Sequence, residues 1–346
     1  MRPQRRAMSL LRWTPAACPT KVPGMTRHPD RILPGVVLML AFCLLAPLLD
    51  VAAKLASAAI PVGQIVTARF LVQGMLMVPI ALAMGVSLRL NPRALGLISL
   101  RAAFLILSTY SFVAAISVMP VADALAIAFV EPFILLILGR VLFGDEVGPR
   151  RIAASGVGFL GALMVIQPSL AAFGLVALWP LGTAFFFAFY MLSTRQVSGF
   201  MHPVAMQVHT SWTGLAMCLP VMVVFDGSGV ASLDPVMPQG LYWLWLFGVG
   251  FWAALSHICM TYALKFAPSA TLAPLHYLEI VAAVGLGYAV FGDFPDALTW
   301  AGICVIVSSG LYIIHRERVS ARARLVTRSA GPGPHADQRP DQARSA

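Results

Sequence analysis

Ten apolar stretches of about 20 residues run through this chain, and they constrain its fold more than any other feature. A helix needs about 20 apolar residues to cross the ~30 Å hydrocarbon layer of a bilayer. We expect the spans at about 33–53, 62–84, 95–118, 121–142, 151–168, 174–194, 204–225, 240–262, 270–291 and 298–315. Only 11% of the residues are charged, against roughly 25% in a soluble globular protein. The pattern predicts an all-α polytopic membrane protein with ten transmembrane helices, and it excludes an ordinary soluble enzyme.

Lysine and arginine collect at the two ends of the chain and in alternate connections between the spans. Cytoplasmic segments of membrane proteins carry an excess of these residues. An even number of spans puts both termini on one side, so we expect both termini in the cytoplasm and the protein in the cell inner membrane. This arrangement makes 22 of the 24 basic residues cytoplasmic, Arg101 among them, and leaves only Lys54 and Arg69 elsewhere. Because the basic residues form no stripe on a folded face, membrane lipids and not nucleic acid are the expected partners.

The two ends of the chain are expected to lie outside the membrane bundle. Residues 1–31 are rich in Arg and Pro and lack the continuous apolar region of a secretory signal peptide. We interpret them as a basic disordered leader, or as an upstream stretch from a mis-assigned start codon with Met25 as the true start. Residues 316–346 have the composition of a basic, disordered cytoplasmic tail.

The chain contains an internal repeat with an offset of 148 residues. This offset places Pro120 on Pro268, Glu131 on Glu279, and the Phe-Gly-Asp turn at 143–145 on the same turn at 291–293. Eight of 26 aligned positions are identical, where roughly two are expected from ordinary residue frequencies. The sequence therefore predicts two related five-span halves, at residues 32–168 and 174–315.

Five is an odd number of spans, so the second half must enter the membrane from the opposite side. The first matched turn is followed by Arg150 and Arg151, whereas the second has no positive charge nearby, as an inverted orientation requires. Inverted repeats recur in secondary carriers, in which the substrate site lies near the bilayer midplane. The predicted fold is therefore two inverted five-helix repeats, and the predicted function class is a transporter.

The same residues resemble a known family. The features that carry the resemblance are a Pro-x-x-x-Ala pattern at Pro120–Ala124 before span 4, the Phe-Gly-Asp turn after it, and a glycine-rich span 5 over Ser155–Gly161. Together with the two five-span halves, they resemble the EamA-type repeat of the drug/metabolite transporter superfamily. Asp145-Glu146 and Asp293 stand where that family has a lone Gly-Glu, which is a mild departure. The resemblance implies a permease for amino acids, vitamins, polyamines or nucleotide derivatives, without choosing among them.

Glu131 and Glu279 are the strongest candidates for the transport site. Each lies about halfway along its span, and the repeat makes the two positions equivalent. An ionisable residue near the bilayer centre is a functional candidate by default because its insertion is costly. Pro132 cannot donate a backbone hydrogen bond, so we expect a structural hinge beside Glu131. The alternative is that each glutamate ties two helices together.

Three further charged residues lie inside the first two spans. Arg69 is too deep to reach the membrane surface and needs an anion, which Glu131, Asp50 or a substrate carboxylate or phosphate could supply. Lys54 follows Asp50 by one helical turn, so we expect these two to form a charge pair.

Histidines and tyrosines add polar groups to the second half. His276 precedes Glu279 by three residues and so shares its helix face, and we expect Tyr277, Tyr262 and His257 to join them in a substrate-binding or coupling patch. The alternative is that each histidine makes a hydrogen-bonded helix contact. No catalytic motif, metal-binding spacing or cofactor-binding loop is present in the sequence, so none of these sites is expected.

These features predict a secondary transporter of a small polar or amphipathic metabolite, such as an amino acid or a vitamin, working by alternating access. Proton coupling is an option that the carboxylates and histidines allow. The alternatives are an intramembrane enzyme or a non-transporting membrane sensor or scaffold. Small residues at four-residue steps in spans 5 and 9 permit close helix approach, and spans 5 and 10 could form a homodimer.

Overall fold

A computed structural model describes residues 32–89, 92–143, 149–197, 200–266, 272 and 275–329. The described residues form helices and connecting turns, with no β-strand among them. The expected leader at 1–31 lies outside the described residues, as does the Gly144-Asp145 turn.

The helices follow the apolar stretches closely. The first half contains α1 (Ile32–Ala56), α2 (Val62–Ala83), α3 (Pro92–Ile116), α4 (Val121–Ala128), α5 (Glu131–Phe143) and α6 (Pro149–Phe173). A 3₁₀ turn (Gly174–Leu178) connects it to α7 (Trp179–Val197), α8 (Pro203–Val224), α9 (Tyr242–Phe266), α10 (Leu278–Phe291) and α11 (Ala297–Ser329). Expected span 4 is thus formed by two helices, α4 and α5, and not by one.

Six helical segments among the described residues are both long and apolar enough to cross a membrane. They are 33–56, 62–83, 94–116, 121–142, 152–194 and 242–263. The segment at 152–194 is 43 residues long and contains two of the expected spans, while 278–291 and 297–312 are shorter apolar helices. The chain is therefore an all-helical, multi-pass membrane protein.

The last helix departs from the expected disordered tail. α11 continues to Ser329, so residues 316–329 of the expected tail are helical in the structure. This stretch contains five arginines and two alanines, which have high helix propensity, and it extends a helix that is already formed.

The helices of the two halves pack against each other in matched pairs. α1 packs against α9 as α3 packs against α7, and α2 packs against α8 as α6 packs against α11. The repeat makes α1 the counterpart of α7, α2 of α8, α3 of α9 and α6 of α11. Exchanging each helix for its counterpart turns the α1–α9 contact into the α3–α7 contact. The same exchange leaves the α2–α8 and α6–α11 contacts unchanged. The main buried apolar cluster draws on both halves, from Ala52 on α1 to Ile306 on α11.

The α6–α11 contact depends on glycines. A Cβ on Gly302 would lie 2.7 Å from the carbonyl oxygen of Gly161, so neither position has room for a side chain. Gly158 faces the ring of Phe133, Ala162 is fully buried, and the carbonyl of Ala154 accepts a hydrogen bond from Ser309. The small residues of span 5 thus pack within one chain, and the predicted homodimer would have to use other faces of α6 and α11.

The sequence-based count placed Arg101 in a cytoplasmic connection, but the structure places it inside a helix. Its side chain is 1% exposed, inside α3, and its guanidinium donates to the hydroxyls of Thr194, Thr210 and Tyr190. Its carbon Cζ also lies 4.4 Å from the centre of the Tyr190 ring. Counting it with the cytoplasmic connections was wrong, because the expected span at 95–118 already contained it and α3, which begins at Pro92, holds it more than two turns inside the helix.

Candidate functional site

A central cavity of about 180 Å³ lies among helices from both halves of the chain. Its walls are largely apolar and include four phenylalanine rings, those of Phe42, Phe112, Phe129 and Phe187. Its polar lining comes from Asp50, Arg69, Ser108, Thr109, Glu131, Thr183, Ser256, His257, His276 and Glu279. An apolar cavity with a few convergent polar groups is the usual form of a small-molecule site.

The first carboxylate enters this cavity at a break between two helices. α4 ends at Ala128, and Phe129 and Val130 form a turn before α5 begins at Glu131. Pro132 is the second residue of α5, where its missing N–H deprives the helix of no hydrogen bond. The break therefore lies directly before the expected hinge residue, and it places Glu131 in the first turn of a helix.

The second half has a break at the equivalent place. Tyr277 is in a turn, and α10 begins at Leu278 with Glu279 in its first turn. The offset of 148 residues that aligns the two halves places Phe129 on Tyr277. Both carboxylates consequently lie at the amino-terminal end of a helix, where the partial positive charge of the helix dipole favours an anion.

The two glutamates differ in their partners. Nε2 of His276 lies 2.9 Å from Oε2 of Glu279, and the His276 ring lies between Phe42 and Phe129, with ring centres 5.4 and 5.3 Å away. This confirms that His276 and Glu279 share a face. Within the described part of the chain, Glu131 makes no hydrogen bond or ion pair. The cavity thus holds one partnered carboxylate and one free carboxylate at equivalent positions.

Arg69 lines the cavity without a carboxylate partner. It lies on α2, is 7% exposed, and donates from Nη1 to the hydroxyl of Thr109 on α3. Its Nε is buried and has no hydrogen-bond partner. No ion pair of the described residues includes Arg69, although Asp50 and Glu131 line the same cavity.

Lys54 does not pair with Asp50, which corrects the expectation from their spacing. Its Nζ lies 2.8 Å from Oδ2 of Asp293, and it also donates to the carbonyl of Met119 at 3.2 Å. Asp50 instead faces the cavity and is 6% exposed. Asp50 and Lys54 do lie one helical turn apart, as their spacing predicts. The lysine nevertheless binds a carboxylate from the other half of the chain, which only the fold brings close to it.

The remaining histidine and tyrosine candidates divide between the cavity and its surroundings. His257 lines the cavity, and its Nδ1 lies 3.2 Å from Nε2 of Gln73 on α2. Tyr277 lies behind the cavity wall, with its ring 5.4 Å from that of Phe129. Tyr262 lies apart from the cavity, with its hydroxyl 2.9 Å from the sulfur of Met84. The structure therefore brings together Arg69, Glu131, His257, His276 and Glu279 but neither of the two tyrosines.

The hydroxyl groups of the cavity were not predicted from the sequence. Ser108 and Thr109 on α3, Thr183 on α7 and Ser256 on α9 all line it. Neighbouring hydroxyl residues in the middle of an apolar span, as in Ser108-Thr109, were the signal that could have identified them. Helix backbones and neighbouring side chains satisfy such residues easily, so they attract less attention than charges.

The arrangement can bind a polar ligand and exchange protons with it. It holds carboxylates, imidazoles and a guanidinium around an apolar space that both halves of the chain enclose. Among the described residues, no group of three or more His, Cys, Asp and Glu side chains converges as a metal site.

A protein-family model described as the EamA-like transporter family matches the chain twice, at residues 33–167 and 174–315. Among similar proteins, a riboflavin transporter of Rhizobium johnstonii is 28% identical over 211 residues, or 61% of this chain and 67% of the relative. A pseudopaline exporter of Pseudomonas aeruginosa is 26% identical over 281 residues, covering 80% of this chain and 95% of the relative. An S-adenosylmethionine uptake transporter of Rickettsia felis is 25% identical over 219 residues, covering 63% and 71%.

A solved crystal structure shares the fold. It aligns with a TM-score of 0.59 at 18% identity, covering 86% of this chain and 99% of that chain.

Proposed function

The chain belongs to the EamA-like transporter family, and on that premise we propose that it carries a small polar or amphipathic metabolite across the membrane by alternating access. The resemblance to the drug/metabolite transporter superfamily is confirmed by this membership. Relatives named for riboflavin, pseudopaline and S-adenosylmethionine support a substrate of similar size and polarity. Because the family and these relatives are transporters, the chain is not an enzyme.

The observation that carries the proposal is the pair of helix breaks at the cavity. Glu131 and Glu279 each open a helix directly after a break, and both line the same space. Substrate sites of many secondary carriers are formed by discontinuous helices near the bilayer midplane, where the half-helix ends supply oriented dipoles. We assign this cavity as the site that binds the transported metabolite.

Ten spans in two inverted five-helix repeats are part of the proposal. The separate family matches to residues 33–167 and 174–315 and the matched packing of helix pairs support it. Repeats related in this way give two conformations of similar energy, because exchanging the roles of the halves turns one into the other. The cavity would then open to each side in turn.

Proton coupling through Glu131 completes the mechanism that we propose. Glu279 already has His276 as a partner, whereas Glu131 has no partner among the described residues. A free carboxylate in a largely apolar cavity is a group that a proton or a cationic part of the substrate can neutralise. Release of that proton on the other side of the membrane would drive the substrate.

Location and orientation follow from the charge distribution. We propose that the protein lies in the cell inner membrane with both termini in the cytoplasm, since basic residues are concentrated in the connections assigned to that side. The connection at 226–239, which contains no Lys or Arg, would then face outward.

The test is flux into proteoliposomes that contain the purified protein. A defined mixture of amino acids, vitamins, nucleosides, nucleotides and polyamines is added outside, and mass spectrometry identifies what enters. We expect at least one class to accumulate above protein-free liposomes, and to accumulate faster when a pH gradient is imposed. Absence of protein-dependent flux for every member would contradict transport, and flux that ignores the pH gradient would contradict proton coupling.

A further inference from the structure

We infer that Arg69 is the binding residue for an anionic group, a carboxylate or a phosphate, on the transported substrate. The inference rests on the proposed transport function and goes beyond it, because it assigns the chemical class of the substrate and the residue that recognises it.

The first support is the burial of Arg69 without an ion pair among the described residues. Its side chain is 7% exposed on α2, in a segment long and apolar enough to span the membrane. No ion pair of the described residues includes it, and its one hydrogen bond goes to the neutral hydroxyl of Thr109. A cation at this depth needs a partner or access to a polar cavity.

The second support is the unused hydrogen-bonding capacity of the guanidinium. Arginine has five N–H donors in a fixed planar fork and no acceptor. Nη1 binds Thr109, whereas Nε is buried with no partner. Because Arg69 lines the cavity, a ligand there can reach the guanidinium. Carboxylate and phosphate match that fork with two parallel hydrogen bonds, which neutral groups do not.

The other arginine that is buried among the described residues shows how the protein treats a structural cation. Arg101 is 1% exposed and donates to Thr194, Thr210 and Tyr190, from Nε, Nη1 and Nη2 respectively. It lies over the Tyr190 ring and does not line the cavity. Each guanidinium nitrogen of Arg101 thus has a partner on a neighbouring helix, whereas Nε of Arg69 has none. This difference between the two arginines points to a ligand, and not a residue of the protein, as the partner of Arg69.

The acidic residues of the cavity do not take the place of that partner. Asp50, Glu131 and Glu279 all line the cavity, yet none of them forms an ion pair with Arg69. Glu279 is bonded to His276 instead. The cavity therefore presents a cation and separate anions to a bound ligand. This arrangement suits a substrate with an acidic group at Arg69 and a polar or cationic group elsewhere.

The test uses matched compounds in the proteoliposome assay. Each carboxylic acid in the mixture is paired with its amide and each phosphate with its dephosphorylated form, so that carboxylates and phosphates form separate arms that distinguish the two anions. With the unmodified protein we expect flux of compounds from one acid arm and about ten- to a hundredfold less flux of their partners without the acidic group. This comparison uses only the unmodified protein, so it remains valid even if a substituted protein fails to fold.

Variants then assign the preference to Arg69. Arg69→Gln should lower the flux of the acid by about ten- to a hundredfold and bring it close to that of the amide, while Arg69→Lys should keep part of the preference. Arg101→Gln, normalised to folded protein, is the matched control and should keep the preference for the acid. Equal flux of an acid and of its partner without the acidic group in the unmodified protein, or an unchanged acid preference in Arg69→Gln, would overturn the assignment of Arg69 and leave the transport function standing. Absence of any protein-dependent flux with the unmodified protein would instead refute the transport function.

Discussion

Lys54 and Asp293 join the two halves of the protein: Nζ of Lys54 lies 2.8 Å from Oδ2 of Asp293. Lys54 is in the last turn of α1, and it also binds the carbonyl of Met119 and lies 4.5 Å from the centre of the Phe291 ring. Asp293 follows Gly292, which ends α10 in a left-handed conformation (φ 73°) that favours glycine. The Phe-Gly-Asp turn therefore ends a helix, supplies a ring beneath the ammonium group, and presents a carboxylate to it.

The first prediction is that this ion pair stabilises the arrangement in which the two halves meet. Both side chains are partly exposed, at 17% and 30%, so Lys54→Met and Asp293→Asn should each lower the stability by about 1 kcal/mol. The measurement is thermal unfolding of the purified variants and of the double variant. The double variant should be no less stable than the worse single one, since neither charge is then left unpaired.

Asp226→Asn is the control for that experiment. Asp226 is an exposed carboxylate in a connection expected on the same side of the membrane, and its loss should leave the unfolding temperature unchanged. If the loss of stability in the double variant equals the sum of the losses in the Lys54 and Asp293 single variants, the contact contributes no coupling energy.

The second prediction concerns the orientation of the two halves. A reporter fused after Gly144 and the same reporter fused after Gly292 should give signals from opposite sides of the membrane, because equivalent turns of inverted repeats face opposite ways. The reporter pair of alkaline phosphatase and green fluorescent protein measures this, since each is active on one side only. Signals from the same side at both turns would eliminate the inverted repeat while leaving family membership intact.

The third prediction is that Arg101 is a structural residue that lysine cannot replace. Arg101→Lys keeps the charge, but one ammonium group cannot occupy the positions from which the guanidinium reaches Thr194, Thr210 and Tyr190. We expect a loss of about 2 kcal/mol in thermal unfolding experiments. Arg89→Lys is the matched control, because Arg89 is exposed and its replacement should have no effect. Equal stability of the two variants would mean that the Arg101 cluster does not depend on guanidinium geometry.

The fourth prediction tests the α6–α11 contact. Gly302→Ala places a Cβ 2.7 Å from the carbonyl oxygen of Gly161, so the helices must separate, and we expect a loss of about 1–3 kcal/mol. Gly96→Ala is the control, since a Cβ on Gly96 in α3 meets nothing within 4 Å. The control should be neutral or slightly stabilising because alanine favours a helix more than glycine does. Similar unfolding temperatures for both variants would show that α6 and α11 adapt to the added methyl group.

Features repeated within the chain were the easiest to predict from sequence. The 148-residue offset identified Glu131 and Glu279 as equivalent, and both open a helix at the cavity. The local rule that residues three apart share a helix face also placed His276 beside Glu279 correctly.

Contacts between distant segments were not predictable in this way. Lys54 had a plausible partner one turn away, and its true partner lies in the other half of the chain. Arg101 was counted with the basic residues between spans, and its partners Thr194, Thr210 and Tyr190 lie on helices that its local sequence does not reveal. Tyr262 and Tyr277 lie near His257 and Glu279 in sequence, but helix rotation and the break at Tyr277 direct them away from the cavity.

The last prediction is that Glu131 and Glu279 respond differently to removal of their charges. Glu131→Gln keeps the shape and hydrogen-bonding groups of the side chain and removes the charge. Since Glu131 has no bonding partner among the described residues, the protein should fold with unchanged stability while transport falls about tenfold or more. The measurements are thermal unfolding and flux into proteoliposomes, with and without a pH gradient.

Glu279→Gln is the matched control at the equivalent position. It breaks the charge-assisted contact with His276, 2.9 Å away, so we expect a loss of stability of about 1.5–3 kcal/mol and a smaller effect on flux per folded molecule. The double variant shows whether the carboxylates act as one site, because its transport defect would then be no larger than that of Glu131→Gln alone. Full transport and an unchanged response to the pH gradient in Glu131→Gln would refute its role in coupling.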